Sequence, residues 1–203
     1  MKVTLIDYGA GNTTSVERAL GRLGAETVRG GTAAELLRAE ALVLPGVGHY
    51  ASLARALERD GVREAVKEAM ERGVPFLGIC LGLQALYEGS EEAAEFAGLN
   101  VLRGRVATLP ASVKLPHMGW NQLSVKRESR LLEGIGPGDY FYFAHSYAVP
   151  AGDGSGEVVA TCAHGAEFAA VVEKQNVSAV QFHPEKSGAA GNRVLRNFLR
   201  LAA

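Results

Sequence analysis

Residues 74–84, with the sequence VPFLGICLGLQ, constrain the fold more than any other part of the chain. The segment begins as an apolar run of strand length, turns sharply between Gly78 and Gly82, and continues as an apolar-periodic stretch through Tyr87. Glycines two positions before and after Cys80 are typical of a nucleophile elbow, a strained strand-to-helix turn. Such a turn exposes the sulfur beside a helix N-terminus, whose partial positive charge favours the thiolate. We predict that Cys80 is a catalytic nucleophile; the alternative is a core cysteine in an ordinary glycine turn.

The composition is that of a globular enzyme. With 203 residues, 47% hydrophobic and 21% charged, the chain fits one domain over residues 1–203. A net charge of −1 argues against nucleic-acid binding, and no apolar run is long enough to cross a membrane. The first residues show no secretory signal and two cysteines indicate no disulfide framework, so we expect a reduced, cytoplasmic protein. The histidines show no zinc-ligand spacing with either cysteine, so we expect neither a metal nor a cofactor.

Strand-like and helix-like segments alternate over the first half of the chain. Apolar strand patterns at residues 3–6, 27–29 and 41–44 are separated by helical periodicity, which predicts an α/β fold. We expect a mostly parallel central sheet with helices on both faces. In the second half, short β-rich segments separated by turn residues predict an antiparallel portion: residues 101–109, 122–125, 140–149, 158–162, 168–173 and 178–182. An amphipathic helix is predicted at residues 188–202.

Cys80 needs a general base, and the best candidate lies in the segment QFHPE at residues 181–185. His183 follows an apolar strand pattern, as Cys80 does. Residues two apart point to the same side of an extended chain, so the Glu185 carboxylate can contact the His183 imidazole. Pro184 stiffens the pair, since its φ is fixed and it favours extended geometry at His183. We predict that Glu185 orients His183 and stabilises its protonated form, a lone structural histidine being the alternative.

The glycine-rich segment PGVG at residues 45–48 completes the predicted site. It follows an apolar strand pattern, and α/β sheets bind ligands at such strand ends, so backbone amides near Val47, Gly48 and Leu81 can stabilise an oxyanion. The Cys80 thiolate would attack an amide or ester carbonyl, His183 would protonate the leaving group, and water would hydrolyse the thioester. This chemistry is that of a cysteine amidohydrolase, and it does not name the substrate. An ordinary strand-to-helix loop is the alternative for PGVG.

Several segments together are similar to a known family. GICLGLQ around Cys80, with a distant HPE, resembles the class I, triad-type glutamine amidotransferases, whose fold is flavodoxin-like. The segments DYGAGN, PGVG, PHMGWN and FAHSY, and the lysine after HPE, resemble one branch of that family over essentially the whole chain. That branch comprises the glutaminase subunits of imidazole glycerol phosphate synthase, from histidine biosynthesis.

The resemblance implies roles for individual residues. Cys80, His183 and Glu185 would form the triad, and Val47 would supply an oxyanion amide only after its peptide reorients. The substrate would be L-glutamine, held by Gln84, Glu92 and the backbone around Gly48, Ser146 and Tyr147. His49, beside the oxyanion segment, departs from the family pattern, which has a small residue there.

The resemblance also implies a protein partner, a (β/α)8 cyclase subunit with which the chain would form a heterodimer. Ammonia would pass into the cyclase and react with a phosphoribulosyl aminoimidazole carboxamide nucleotide. The products would be imidazole glycerol phosphate and an aminoimidazole carboxamide ribotide. The partner surface would include Asn12, Met118, Trp120, Tyr142 and Lys186. Interfaces are enriched in aromatic residues and Met, with core packing the alternative for Trp120 and Tyr142.

Three other interpretations stay open. A DJ-1/PfpI-type hydrolase also uses an elbow cysteine, but such proteins place histidine directly after it, where this chain has Leu81. A glutaminase that serves another synthase, such as that of pyridoxal phosphate synthesis, is the second. A catalytically dead regulatory scaffold is the third, and the intact Cys80, His183 and Glu185 argue against it.

Overall fold

The computed structural model describes residues 1–9, 13–152 and 156–202. Within these ranges the strands are β1 Lys2–Ile6, β2 Glu26–Gly30, β3 Leu42–Gly46, β4 Phe76–Cys80, β5 Ala107–Thr108, β6 His117–Asn121, β7 Ser124–Val125, β8 Phe141–His145, β9 Tyr147–Ala148, β10 Val158–His164, β11 Ala166–Lys174 and β12 Val177–Val180. The α-helices are α1 Thr13–Arg22, α2 Ala33–Leu36, α3 Tyr50–Leu57, α4 Val62–Glu71, α5 Leu81–Gln84 and α6 Gly188–Leu201. Short 3₁₀ helices lie at Glu91–Ala93 and Pro184–Lys186. None of the described helices is long and apolar enough to span a membrane.

One large sheet organises the described part of the chain, with the strand order β2-β1-β3-β4-β12-β11-β10-β7. The first five strands in that order run parallel, and β11, β10 and β7 continue the sheet in antiparallel pairing. The pairs β5–β9 and β6–β8 form two small antiparallel sheets. The predicted α/β class is confirmed, and much of the antiparallel portion is an extension of the main sheet.

Helices cover both faces of the parallel strands. Helices α2, α3 and α4 pack with Leu42 and Leu44 of β3 in one apolar cluster, whereas α1 and α6 pack with Val43 in another. Successive side chains of a strand point to opposite faces, which explains this division. Strands buried on both faces are apolar throughout, and this is why β3 could be predicted from a continuous apolar run.

Close packing at the elbow accounts for its glycines. A Cβ added at Gly82 would collide with the carbonyl oxygen of Leu44, and one added at Gly46 would collide with the side chain of Leu81. A Cβ at Gly78 would lie 2.6 Å from the carbonyl oxygen of Gly82. Helix α5 therefore packs directly against the ends of β3 and β4, which brings the PGVG segment beside the elbow cysteine.

Two predictions of secondary structure are wrong in extent. The elbow helix ends at Gln84 rather than continuing through Tyr87, because the next backbone bonds are of the tighter i→i+3 type. Residues 101–109 contain only the short strand β5. The first two amides of that segment donate to the Leu86 carbonyl, at the end of the elbow turn, instead of pairing with a strand.

Candidate active site

Cys80 is the last residue of β4 and occupies strained backbone. Its φ of +54° lies in the left-handed region, which a non-glycine residue rarely adopts. It pairs in register with Gly46 of β3, so it stands at the carboxyl edge of the sheet, where α5 begins. A cysteine held at positive φ on a strand-to-helix turn has the predicted geometry of a nucleophile elbow.

His183 reaches the same edge of the sheet from the neighbouring strand. Strand β12 pairs parallel to β4 with Val180 opposite Ile79, and His183 follows shortly after β12 ends. Its backbone N–H donates to the Tyr142 carbonyl at 2.9 Å, which ties this loop to β8. Because β4 and β12 are adjacent and parallel, the cysteine and the histidine meet at one end of the sheet.

Glu185 contacts the imidazole of His183. Its Oε1 accepts a hydrogen bond from His183 Nδ1 at 2.9 Å, and the side chains of Glu185 and His183 are only 1% and 2% exposed. The contact is as predicted, and His183 is extended, but the chain does not stay extended through Glu185. Pro184–Lys186 is a 3₁₀ helix, and its tight turn carries Glu185 back to the ring. Since Nδ1 is the donor to Glu185, Nε2 is the nitrogen that remains for Cys80.

Electrostatics favour the charged form of His183. Burial lowers the pKa of His183, but hydrogen bonds and charge interactions with Cys80 and Glu185 outweigh it and hold the pKa well above its ordinary value. The imidazolium is therefore the stable form at neutral pH. A neighbouring imidazolium stabilises a thiolate, the reactive form of a cysteine.

The cysteine opens into a cavity of about 250 Å³ at this edge of the sheet. The residues that line it are Val47, Gly48, Cys80, Leu81, Gln84, Glu92, Ala144, His145, Ser146, Tyr147, His183 and Lys186. The structure thus brings together all the predicted oxyanion and substrate-binding residues with the cysteine and the histidine, while Glu185 lies behind the imidazole. A cavity of this size suits a small substrate.

Two predicted substrate-binding side chains are held in place by neighbouring groups. The Glu92 carboxylate accepts the N–H of Tyr50 at 2.9 Å. The Gln84 amide donates to the Tyr147 carbonyl at 2.8 Å and to the Gln181 side-chain oxygen at 3.2 Å. A fixed carboxylate and a fixed amide at the cavity wall are suited to orienting a small polar ligand.

The Val47 peptide, a predicted oxyanion donor, is bonded to a tyrosine in this structure. Its N–H donates to the Tyr8 hydroxyl at 3.2 Å, and its carbonyl accepts from the same hydroxyl at 3.3 Å. His49 caps α3 by accepting the N–H of Ala51 at 3.2 Å, which gives this unexpected residue a local structural role. The oxyanion roles of the Val47 peptide and its neighbours stay predictions.

A polar contact to the nucleophile comes from a residue that the sequence did not single out. Gln181 is completely buried, and its Nε2 lies 3.5 Å from Cys80 Sγ. Its side-chain oxygen accepts the Gln84 amide, so one glutamine links the sulfur to the cavity wall. The available signal was its place at the start of QFHPE, two residues before the predicted base.

A histidine cluster behind the cavity wall was also not foreseen. His117 and His145 lie directly opposite each other on β6 and β8, and His164 stacks on His117 with 4.3 Å between ring centroids. His145 Nδ1 donates to the Tyr147 carbonyl at 2.8 Å, so its Nε2 accepts from His117 Nδ1 at 3.1 Å. Burial is the main cause that lowers the pKa of His117 to about 4 and that of His145 to about 3, so both rings are neutral at pH 7. Across the described ranges, no group of three or more His, Cys, Asp or Glu is arranged to hold a metal ion.

Comparisons with known proteins identify the family. The family described as glutamine amidotransferase class-I matches residues 4–202. A relative from Methanothermobacter thermautotrophicus is 47% identical over 200 residues, covering 98% of each chain. One from Caldanaerobacter subterraneus is 45% identical over 196 residues, covering 97% of this chain and 96% of the relative. Both are named imidazole glycerol phosphate synthase subunit HisH. The chain belongs to the class I glutamine amidotransferases.

This amidotransferase also matches part of a longer protein. The chloroplastic imidazole glycerol phosphate synthase hisHF of Arabidopsis thaliana is 44% identical over 97% of this chain, which spans 34% of that protein. A crystal structure of a glutamine amidotransferase superposes with a TM-score of 0.78 at 25% identity, covering 98% of both chains. PurLQS from Thermotoga maritima superposes with a TM-score of 0.78 at 23% identity, covering 98% and 97% of the two chains, and supports the fold alone. The family match decides against a DJ-1/PfpI-type hydrolase.

Four of the predicted partner residues, Met118, Trp120, Tyr142 and Lys186, lie within the described part of the chain. Met118 and Trp120 on β6 are 64% and 56% exposed, so the alternative of core packing is wrong for Trp120. Trp120 contacts the half-buried Tyr142 edge-on, and Lys186 Nζ lies 5.8 Å from the Tyr142 ring centroid. Lys186 also lines the cavity, so this exposed aromatic surface is continuous with the cavity wall. Asn12 lies outside the described residues, and partner binding stays a prediction.

Proposed function

We propose that the chain is the glutaminase subunit of imidazole glycerol phosphate synthase and releases ammonia from L-glutamine at the Cys80 cavity. The observation that carries the proposal is the meeting of Cys80 with the His183–Glu185 pair at adjacent strand ends, beside a small cavity. The relatives named HisH, at 42–47% identity over nearly the full chain, support this branch of the family over a glutaminase that serves another synthase.

The first half of the reaction transfers the glutamyl group to the enzyme. The Cys80 thiolate attacks the side-chain amide carbon of glutamine, and the carbonyl oxygen becomes an oxyanion. Backbone N–H groups of Leu81 and Val47 stabilise that charge, each worth about a hundredfold or more in rate. The intermediate collapses as the His183 imidazolium gives its Nε2 proton to the leaving nitrogen. Ammonia departs, and a thioester joins the glutamyl group to the sulfur.

The second half restores the enzyme. Neutral His183 removes a proton from a water molecule, which attacks the thioester carbon. The C–S bond breaks as glutamate forms, and the sulfur leaves as the thiolate beside the imidazolium. Glu185 stabilises that imidazolium throughout, through the 2.9 Å contact to Nδ1. Glu92 would bind the α-ammonium of glutamine, since it places a carboxylate at the cavity wall.

Ammonia needs a receiving site close to where it forms. In water near neutral pH it becomes ammonium, which is not nucleophilic. A (β/α)8 cyclase subunit seated on the surface formed by Met118, Trp120, Tyr142 and Lys186 would cover the cavity mouth and receive ammonia directly. The exposed aromatic and Met side chains there have the composition of an interface. The fused plant relative supports a larger assembly of this kind.

The test is glutamate release from glutamine by the purified chain, alone and with the cyclase subunit and its nucleotide. We expect weak activity alone and strong stimulation in the complex. Cys80→Ala is the control, because it removes the nucleophile and should abolish release in both samples. Absence of release in the complex, together with no labelling of Cys80 by a thiol-reactive glutamine analogue, would favour a regulatory scaffold instead.

A further inference from the structure

The Val47 peptide lies where an oxyanion donor is needed but is bonded elsewhere. Gly46 pairs with Cys80, so the next peptide along the chain stands beside the sulfur, and Val47 and Gly48 both line the cavity. The Val47 N–H nevertheless donates to the Tyr8 hydroxyl at 3.2 Å. An amide hydrogen directed at one oxygen is not available to a second oxygen on another side of the peptide.

Tyr8 approaches this peptide from outside the substrate cavity. It follows β1, is 7% exposed, and lines a neighbouring cavity together with Asp7 and Gly9 rather than the one around Cys80. Its hydroxyl accepts the Val47 N–H and donates to the Val47 carbonyl at 3.3 Å, so a single group bonds both polar atoms of that residue. Burial raises the pKa of Tyr8 to about 12, and the hydroxyl therefore keeps its proton over the whole working pH range.

The backbone around Val47 is suited to a change of peptide orientation. It is flanked by Gly46 and Gly48, and Gly48 has a φ of +106°, which side chains rarely tolerate. Nothing lies within 4 Å of a Cβ built at Gly48, so the segment has space on that side. The Val47 N–H belongs to the Gly46–Val47 peptide, and a turn of that peptide breaks its hydrogen bond to the Tyr8 hydroxyl, so the Tyr8 contact opposes the turn.

We propose that the Tyr8 hydroxyl is a positioning group that withholds the Val47 N–H from the oxyanion and so restrains glutamine hydrolysis in the free chain. The inference rests on the proposed glutaminase function and adds a residue that controls it. Hydrolysis requires the Val47 N–H to leave the Tyr8 oxygen before it can donate to the oxyanion. Losing one hydrogen bond of typical net strength shifts such an equilibrium about fivefold.

Tyr8→Phe tests this directly, because it removes one oxygen atom and keeps the buried ring. Glutamate release by the free variant should rise about three- to tenfold in kcat over the unmodified chain. The rate in the complex with the cyclase and nucleotide should stay within about twofold, so the stimulation factor should fall. Tyr87→Phe is the matched control: Tyr87 is also buried, belongs to the same apolar cluster and does not line the cavity, so this variant should leave all rates unchanged.

A second measurement distinguishes better stabilisation of the oxyanion from easier access of reagents to Cys80. Alkylation of Cys80 by iodoacetamide forms no tetrahedral oxyanion, so its rate should be the same with Tyr8 and with Phe at this position. An unchanged or lower kcat in free Tyr8→Phe, with a stimulated unmodified complex, would overturn the role of Tyr8 and leave the glutaminase proposal intact. A rise in both hydrolysis and alkylation would also overturn it. Absence of glutamate from every sample would instead reject the glutaminase proposal.

Discussion

The two cysteines of this chain show that position, more than burial, decides reactivity. Cys80 and Cys162 are 6% and 3% exposed and belong to the same apolar cluster. Cys162 lies within β10, where burial raises its thiol pKa to about 12 and keeps it protonated. Cys80 ends a strand beside a cavity, where Gln181 donates to its sulfur and His183 is its charged partner.

The buried histidines divide in the same way. Burial disfavours the charged form of His117, His145 and His183 alike. At His183 the interactions with Cys80 and Glu185 reverse that effect, whereas at His117 and His145 the neighbouring ionisable groups are other histidine rings. One cluster is therefore a charged pair suited to catalysis, and the other is a neutral hydrogen-bonded chain. The two clusters differ because a carboxylate, that of Glu185, contacts His183, whereas the ionisable neighbours of His117 and His145 are other histidines.

The largest expected effect separates the two cysteines. Cys80→Ala should lower glutamate release in the cyclase complex by at least about 10⁴-fold, because the thioester cannot form. Cys162→Ala should leave the rate within about twofold, since Cys162 does not line the cavity. Steady-state assays of both variants measure the contrast.

Alkylation followed by mass spectrometry provides a control for that experiment. Iodoacetamide should modify Cys80 in the folded chain and reach Cys162 only after denaturation, since the thiol with its raised pKa is both buried and protonated. Rapid modification of Cys162 in the native chain would contradict the expected difference in reactivity between Cys80 and Cys162.

The next effect tests whether the carboxylate is what makes His183 differ from the other histidines. Glu185→Gln should lower kcat/KM about a hundredfold, because a neutral amide stabilises the imidazolium less than a carboxylate does. Removing the charge lowers the pKa of His183, so the alkaline limb of the pH–rate profile should move to lower pH. Within the described residues Glu185 Oε2 has no hydrogen-bond partner, so an amide nitrogen there breaks no existing bond. An alkaline limb at the wild-type pH would contradict this role of Glu185.

The elbow and the parallel strands of the first half of the chain were the predictable parts of this molecule. Continuous apolar runs and glycines around Cys80 are local signals, and they determine the elbow and its neighbour β3. Strand β6 was not predicted, because Gly119, with a φ of +142°, interrupts it and its polarity is inverted: the apolar Met118 and Trp120 are exposed, whereas the polar His117 is buried. It forms only because β8 pairs with it.

The site was predictable where its residues share a motif and not where they meet through the fold. His183 and Glu185 are two positions apart in one segment, and their contact could be foreseen although the 3₁₀ turn could not. The Tyr8–Val47 hydrogen bonds join residues 39 apart, and the His117–His145 bond joins residues 28 apart. Such contacts depend on strand order and register, which a single sequence does not specify.

Acid should destabilise the neutral histidine cluster while leaving the charged pair intact. For His117 and His145 the folded pKa values, about 4 and about 3, lie below the unfolded value of 6.5, so the unfolded state binds more protons as the pH falls from 6.5 towards 4. His183 has a raised pKa, and its contribution changes above pH 6.5 instead. Urea denaturation at pH 7 and pH 5 should show a loss of about 4 kcal/mol in the free energy of unfolding from these two histidines together. His145→Asn should reduce that loss by about 2 kcal/mol, and an equal loss in both proteins would contradict the neutral state of His145.

The smallest expected effect tests whether the neutral cluster positions the cavity wall at all. His145 Nδ1 donates to the Tyr147 carbonyl, which the Gln84 amide also contacts, so His145 holds a peptide that lines the cavity. Asn at this position places an N–H near the original Nδ1, whereas Gln places its amide near Nε2 and loses the bond. His145→Gln should therefore raise KM for glutamine about three- to tenfold with little change in kcat, and His145→Asn should keep KM within about twofold. If both variants raised KM equally, the imidazole would matter for packing alone, and only the charged cluster would contribute to the chemistry.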